Sequence, residues 1–139
     1  MNSATQTPKP TATARVIGEG GLCATAEGWN LDIRLPWYRS LPVSTIEIDS
    51  LAVDGVAIDL DRVQFELEGR RLSVQAMAEQ CELVWYVLDS AYLHFPAPTQ
   101  AEGAHDITLT LNLYPPYIRG LKRMTRETQR LTPQPASAA

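Results

Sequence analysis

The chain has 139 residues, 45% of them hydrophobic and 20% charged, which is one domain's worth of sequence and enough to build a core without disulfides or a structural metal. Only two cysteines occur, Cys23 and Cys81, each without a neighbouring Cys or clustered His, which excludes a zinc pattern and points to a reducing compartment. Residues 21 to 114 hold 14 acidic and five basic side chains, a balance of −9, against +4 for residues 115 to 139; an acidic body repels a phosphate backbone, so no nucleic-acid partner is expected.

The opening MNSATQTPKPTATAR has no apolar leader, and no apolar run approaches the ~18 residues of a membrane span, so a cytoplasmic protein without membrane contact is expected. Residues 1–14, and again Thr132 to Ala139, are too poor in large apolar side chains to offset their ordering entropy and are expected to be disordered. Trp29, Leu31, Ile33 and Leu35 alternate with polar residues at the period of a half-buried strand. Ile46 and Ile48 continue that pattern, but the apolar parity then switches to Leu51 and Val53, which predicts a bulge near Asp49 and Ser50. Asp54-Gly55 between two apolar runs predicts a type I′ hairpin. Further strands are expected around Val63, Phe65 and Leu67, at Leu72 and Val74, over Leu83 to Leu88, and at Ala91, Leu93 and Phe95. Residues 75 to 81 favour one or two turns of connecting helix. Ile107, Leu109, Leu111 and Leu113 make the cleanest alternation in the chain. Beyond Pro115-Pro116 the basic stretch permits a short helix or an extended arm. The reading is all-β: an antiparallel β-sandwich over 15–118 with one short connecting helix, a disordered tail over 1–14 and a basic arm or tail over 119–139.

No reaction centre is evident. His94 and His105 lie in no metal-ligand spacing, although His105, in the turn before the cleanest strand, is the better candidate for a functional contact. Gly18-Glu19-Gly20-Gly21 does not connect a strand to a helix, so it is no phosphate loop. The cysteines are expected to be small buried residues rather than nucleophiles. What stands out is Arg34-Leu35-Pro36-Trp37-Tyr38-Arg39-Ser40-Leu41-Pro42, a proline-bounded loop with the Trp, Tyr and Arg enriched at protein-protein hot spots. The same composition would serve to plug the end of the sandwich, with Arg34 and Arg39 paired to carboxylates. Tyr114-Pro115-Pro116-Tyr117 repeats the theme and suggests a rigid arm that lies on a partner, whereas Trp85 is expected in the core.

Arg34 to Glu47, the V-D-G hairpin at Val53 to Gly55, the L-E-G turn, the segment Trp85 to Ala91 and the G-A-H-D entry into the last strand together resemble the small, beta subunit of bacterial C-glycoside deglycosidases over roughly residues 25 to 115. The resemblance implies a noncatalytic β-sandwich bound to a larger TIM-barrel alpha subunit. It implies a divalent metal, commonly manganese, in that partner and none in this chain. It implies cleavage of the carbon-carbon bond between an aromatic aglycone and a 3-oxo-sugar, because the ketone acidifies the neighbouring hydrogen and lets a base start an elimination. Arg34, Pro36, Trp37, Tyr38 and Arg39 match the family's loop and His105 its G-x-H turn; with Tyr114 and Tyr117 they are the expected subunit interface or pocket rim. Two rival readings are a stand-alone carbohydrate-binding sandwich, with Trp37, Tyr38 and Tyr117 stacking on sugars, and a metal-independent lyase using His105 with Asp106 or Tyr38.

Overall fold

A computed structural model describes residues 15–99 and 102–135. The alternating segments form strands that close one core. The first sheet contains β1 (Ile17–Thr25), β2 (Gly28–Arg34), β6 (Gln64–Leu67), β7 (Arg70–Ser73), β9 (Ser90–Phe95) and β12 (Gln134–Pro135), in the order β12-β1-β2-β9-β6-β7. The second contains β4 (Ile46–Val53), β5 (Val56–Ala57), β10 (His105–Leu113) and β11 (Arg123–Leu131), in the order β11-β10-β4-β5. A ribbon of β3 (Leu41–Pro42) and β8 (Val84–Trp85) flanks them. Pairing is antiparallel except between β1 and β12. Leu31, Ile33, Phe65 and Leu93 from the first sheet and Ile48, Leu51, Leu109 and Leu111 from the second belong to one buried cluster, the interior of a sandwich.

Local chemistry explains the register. Ser50 faces Thr110 while Ile48 faces Leu111, so Asp49 is the extra residue that lets Ile48 and Leu51 both point inward despite their odd spacing. Asp54 and Gly55 both take positive φ, 53° and 83°, as a type I′ turn requires. The connecting helix is a 3-10 turn, Gln75–Glu79, anchored by buried Met77. The basic stretch left open between helix and arm is a strand. β11 pairs with β10 along its whole length, and Glu127, the one carboxylate in that stretch, accepts the Val16 and Ile17 amides at 2.8 and 2.9 Å, tying the edges of the two sheets together. Exposed Arg123, Arg126 and Arg130 then blunt the outer edge against pairing with other chains.

Gly18 to Gly21 form a bulged part of β1 that folds over Asp32. The Gly20 amide donates to Asp32 Oδ2 at 2.7 Å, and a Cβ on Gly18 or Gly20 would lie only 2.6–2.7 Å from that carboxylate. This packing need explains Gly18 and Gly20, and a left-handed φ of 65° explains Gly21. Cys81 is exposed and Cys23 half-buried, so neither fills the buried role expected of it; Cys81 falls in the turn after the 3-10 segment, outside the core. The expected disorder of residues 1–14 lies outside the described residues, as does that of 136–139, whereas Gln134–Pro135 pair with β1.

Candidate functional site: an aromatic and basic end of the sandwich

The loop after β2 and the segment after β10 leave the same end of the sandwich, and the structure brings them together. Leu35 and Pro36 are buried and fix the loop's base, which carries Trp37 half-buried and Tyr38 and Arg39 exposed. Trp37 Nε1 donates a hydrogen bond to the Tyr117 hydroxyl, 80 residues along the chain. The Trp37 and Tyr38 rings lie 5.1 Å apart, and the Arg39 guanidinium sits 5.2 Å above the Tyr117 ring in a cation-π contact. Arg34 Nη1 donates to Ser90 Oγ at 3.4 Å. Among the described residues neither Arg34 nor Arg39 makes an ion pair, so the pairing with carboxylates that would make this loop a plain plug does not form.

The tyrosine-proline segment lies against its own chain. Pro115 is buried, and the Tyr114 amide donates to the Thr45 carbonyl at 2.8 Å. The Tyr114 hydroxyl donates to Glu47 Oε1 at 3.0 Å, and the same oxygen accepts Asn112 Nδ2 at 2.9 Å. These bonds favour the carboxylate, the one from Asn112 most, and hold Glu47 below its ordinary pKa; the hydrogen bond to Glu47 in turn raises that of Tyr114.

His105 is not part of this cluster. It opens β10, whereas Tyr114 follows the other end of that nine-residue strand, a separation of roughly 31 Å at about 3.4 Å per residue. Its ring lies 5.4 Å from Trp29 and its Nδ1 2.7 Å from Asp54 Oδ2, and the residue is 5% exposed. Asp54 also accepts the Asp106 amide at 2.9 Å. The pair therefore clamps the Asp54-Gly55 hairpin to the start of β10. His94 is likewise paired, its Nε2 2.6 Å from Glu66 Oε1.

The Asp106 amide first, and the His105 contact second, depress the Asp54 pKa below its ordinary value. A carboxyl whose folded value lies below its unfolded one contributes stability above the unfolded value, and loses it as pH falls through the folded value. Asp54→Asn keeps an acceptor for the amide and removes the charge. The variant is expected to melt at a lower temperature than the parent at about pH 6, with the gap closing toward about pH 3, which a pair of melting series checks.

Among the described residues no group of three or more His, Cys, Asp or Glu side chains could hold a metal ion, and no helix is long and apolar enough to cross a membrane. The arrangement defines a β-sandwich presenting an ordered aromatic and arginine surface at one end. Comparison with known proteins assigns it to a family. The family described as C-glycoside deglycosidase beta subunit matches residues 11–117. The chain is 38% identical, over 75% of its length and 79% of the relative's, to the 3'-dehydrocarminate deglycosidase beta subunit of a Microbacterium species. It is 34% identical, over 75% of its length and 80% of the relative's, to a C-glycoside deglycosidase beta subunit of Arthrobacter globiformis, and 32% identical to one of Microbacterium trichothecenolyticum over 75% and 79%. The chain belongs to the C-glycoside deglycosidase beta subunit family.

Proposed function

We propose that this chain is the accessory subunit of a cytoplasmic, metal-dependent C-glycoside deglycosidase, and that its Trp37–Tyr117 end docks on a larger TIM-barrel subunit. The observation that carries this reading is the ordered, exposed cluster of Trp37, Tyr38, Arg39 and Tyr117, in a chain of a family named for a subunit. Ordering matters energetically, because side chains already held by each other lose less entropy on binding than free ones. The partner would supply the divalent metal, with manganese as the expected ion, and the base. The metal's chemistry would be stabilisation of the negative charge that develops when the carbon-carbon bond of a 3-oxo-C-glycoside is cleaved. This chain's own residues support and rim the assembly. His105 and Asp54, held in a structural clamp at the opposite end, take no part in proton transfer.

The test is co-expression with a large deglycosidase subunit, with an affinity tag on this chain alone. Stoichiometric co-elution of the large subunit, with metal content following it and absent from this chain purified alone, is the expected result. Recovery of this chain by itself, with metal bound, would overturn the proposal.

A further inference from the structure

A second exposed turn adjoins the aromatic loop. Ribbon strands β3 and β8 pair Leu41 with Trp85, so the loop entering β3 and the turn leaving β8 emerge side by side. The Val87 amide donates to Ser40 Oγ at 2.9 Å and stitches them together. Within the turn, Asp89 N donates to the Tyr86 carbonyl at 2.9 Å, and the fully buried Trp85 donates through Nε1 to the Asp89 carbonyl at 2.9 Å. This rigid base holds out two large side chains. Leu88 is 79% exposed and Tyr86 55%, beside Tyr38 at 69%. An apolar side chain as bare as Leu88, on a turn fixed from below, has no role in the core.

We infer that the Tyr86–Leu88 turn is a second docking element, continuous with the Trp37–Tyr117 cluster, and that its occupant is an apolar recess edged by carboxylates on the large subunit. The inference rests on the subunit reading above and adds the turn and the chemistry of the opposing surface. Charge argues for the occupant. The body of the chain is acidic, yet this end carries exposed Arg39, Arg119 and Lys122 against exposed Glu47 and half-buried Asp89, an excess of positive charge that favours an acidic surface and disfavours a second copy of the same end. With an aliphatic and an aromatic anchor on a face that also carries charge, the anchors set the dissociation rate and the charges the association rate.

The experiment measures binding of the full chain to a purified large deglycosidase subunit by surface plasmon resonance, over a range of salt concentrations. Leu88→Asp and Tyr86→Ser are each expected to weaken binding about tenfold or more, mainly through faster dissociation, while melting temperatures stay at the parent's. Arg119→Glu is expected to slow association and flatten its salt dependence. Parent-like binding by Leu88→Asp and Tyr86→Ser, with the parent chain binding tightly, would overturn the inference and leave the subunit reading intact. So would a parent chain that forms dimers broken by Leu88→Asp, because the turn would then cover a second copy. Failure of the parent chain itself to bind would remove the subunit reading, and this inference with it.

Discussion

Replacing Trp37 and Tyr38 together by alanine is expected to weaken association with the large subunit by about 4 kcal/mol, roughly a thousandfold in Kd. The size follows from what the two residues are. Trp37 holds Tyr117 through its indole N–H and packs against Tyr38, so its removal takes away contact area and also frees the segment that brings Tyr117 and Arg39 into place. Anchors coupled in this way are not additive, and Tyr38→Ala alone is expected to cost less than half of the total. Pull-down of the large subunit at concentrations around the parent's Kd checks this, with a melting curve to show that the variant is folded. Because Tyr38 is largely exposed and Trp37 half-buried in the free chain, the change falls mainly on binding.

Trp85→Ala is expected to have the largest effect on the fold itself, about 3–5 kcal/mol of stability. The side chain is fully buried, its ring centroid 5.5 Å from that of Phe65, and it holds the following turn through the hydrogen bond to the Asp89 carbonyl. Domains of this size have about 5–15 kcal/mol in total, so the variant sits near the limit of folding. Trp85→Phe keeps most of the apolar volume and loses the hydrogen bond, which leaves a carbonyl without its donor; about 1–2 kcal/mol is expected for that loss. Urea unfolding, with midpoints compared at constant slope, separates the two. Since Trp85 also sets the Tyr86–Leu88 turn, the Phe variant is expected to bind the large subunit less tightly than its stability alone would suggest.

The parts of the fold legible in the sequence are those where one face of a strand is dry and the other wet. β2, β9 and β10 alternate in sequence because one face of each meets the core, although Asp32, Thr110 and Asn112 on the opposite faces are buried as well, and the parity switch between Ile48 and Leu51 discloses the bulge at Asp49 because both flanking residues must still reach the core. Asp54-Gly55 is legible because the turn's positive φ values admit few residue types. β1 is hidden by its glycines, chosen to approach Asp32 rather than to alternate. β11 is hidden because it is an edge strand, half exposed and basic, and its pattern reflects solubility more than burial.

The candidate site was partly legible. Composition alone singles out Trp37, Tyr38 and Arg39, and also Tyr114 and Tyr117, but the contact between Trp37 and Tyr117 spans 80 residues and rests on how the two sheets pack. The resemblance groups His105 with this rim, whereas strand length sets it apart, since it and Tyr114 flank the same nine-residue strand. Tyr86 and Leu88 fall inside the apolar run Leu83 to Leu88 and do not stand out in it. The signal that separates them is the period of two, which puts both on the face opposite buried Trp85; the structure places the turn at Val87-Leu88, one step before the Asp89-Ser90 break that the sequence suggests.

If the groups that perform the chemistry come from another molecule, turnover of a 3-oxo-C-glycoside must depend on the large subunit, which assays of the purified chain, of the large subunit, and of the two together measure. Aglycone release by the pair, none by this chain, and loss of the pair's activity with a chelator are expected. Aglycone release by this chain alone, undiminished by the chelator, would contradict that dependence.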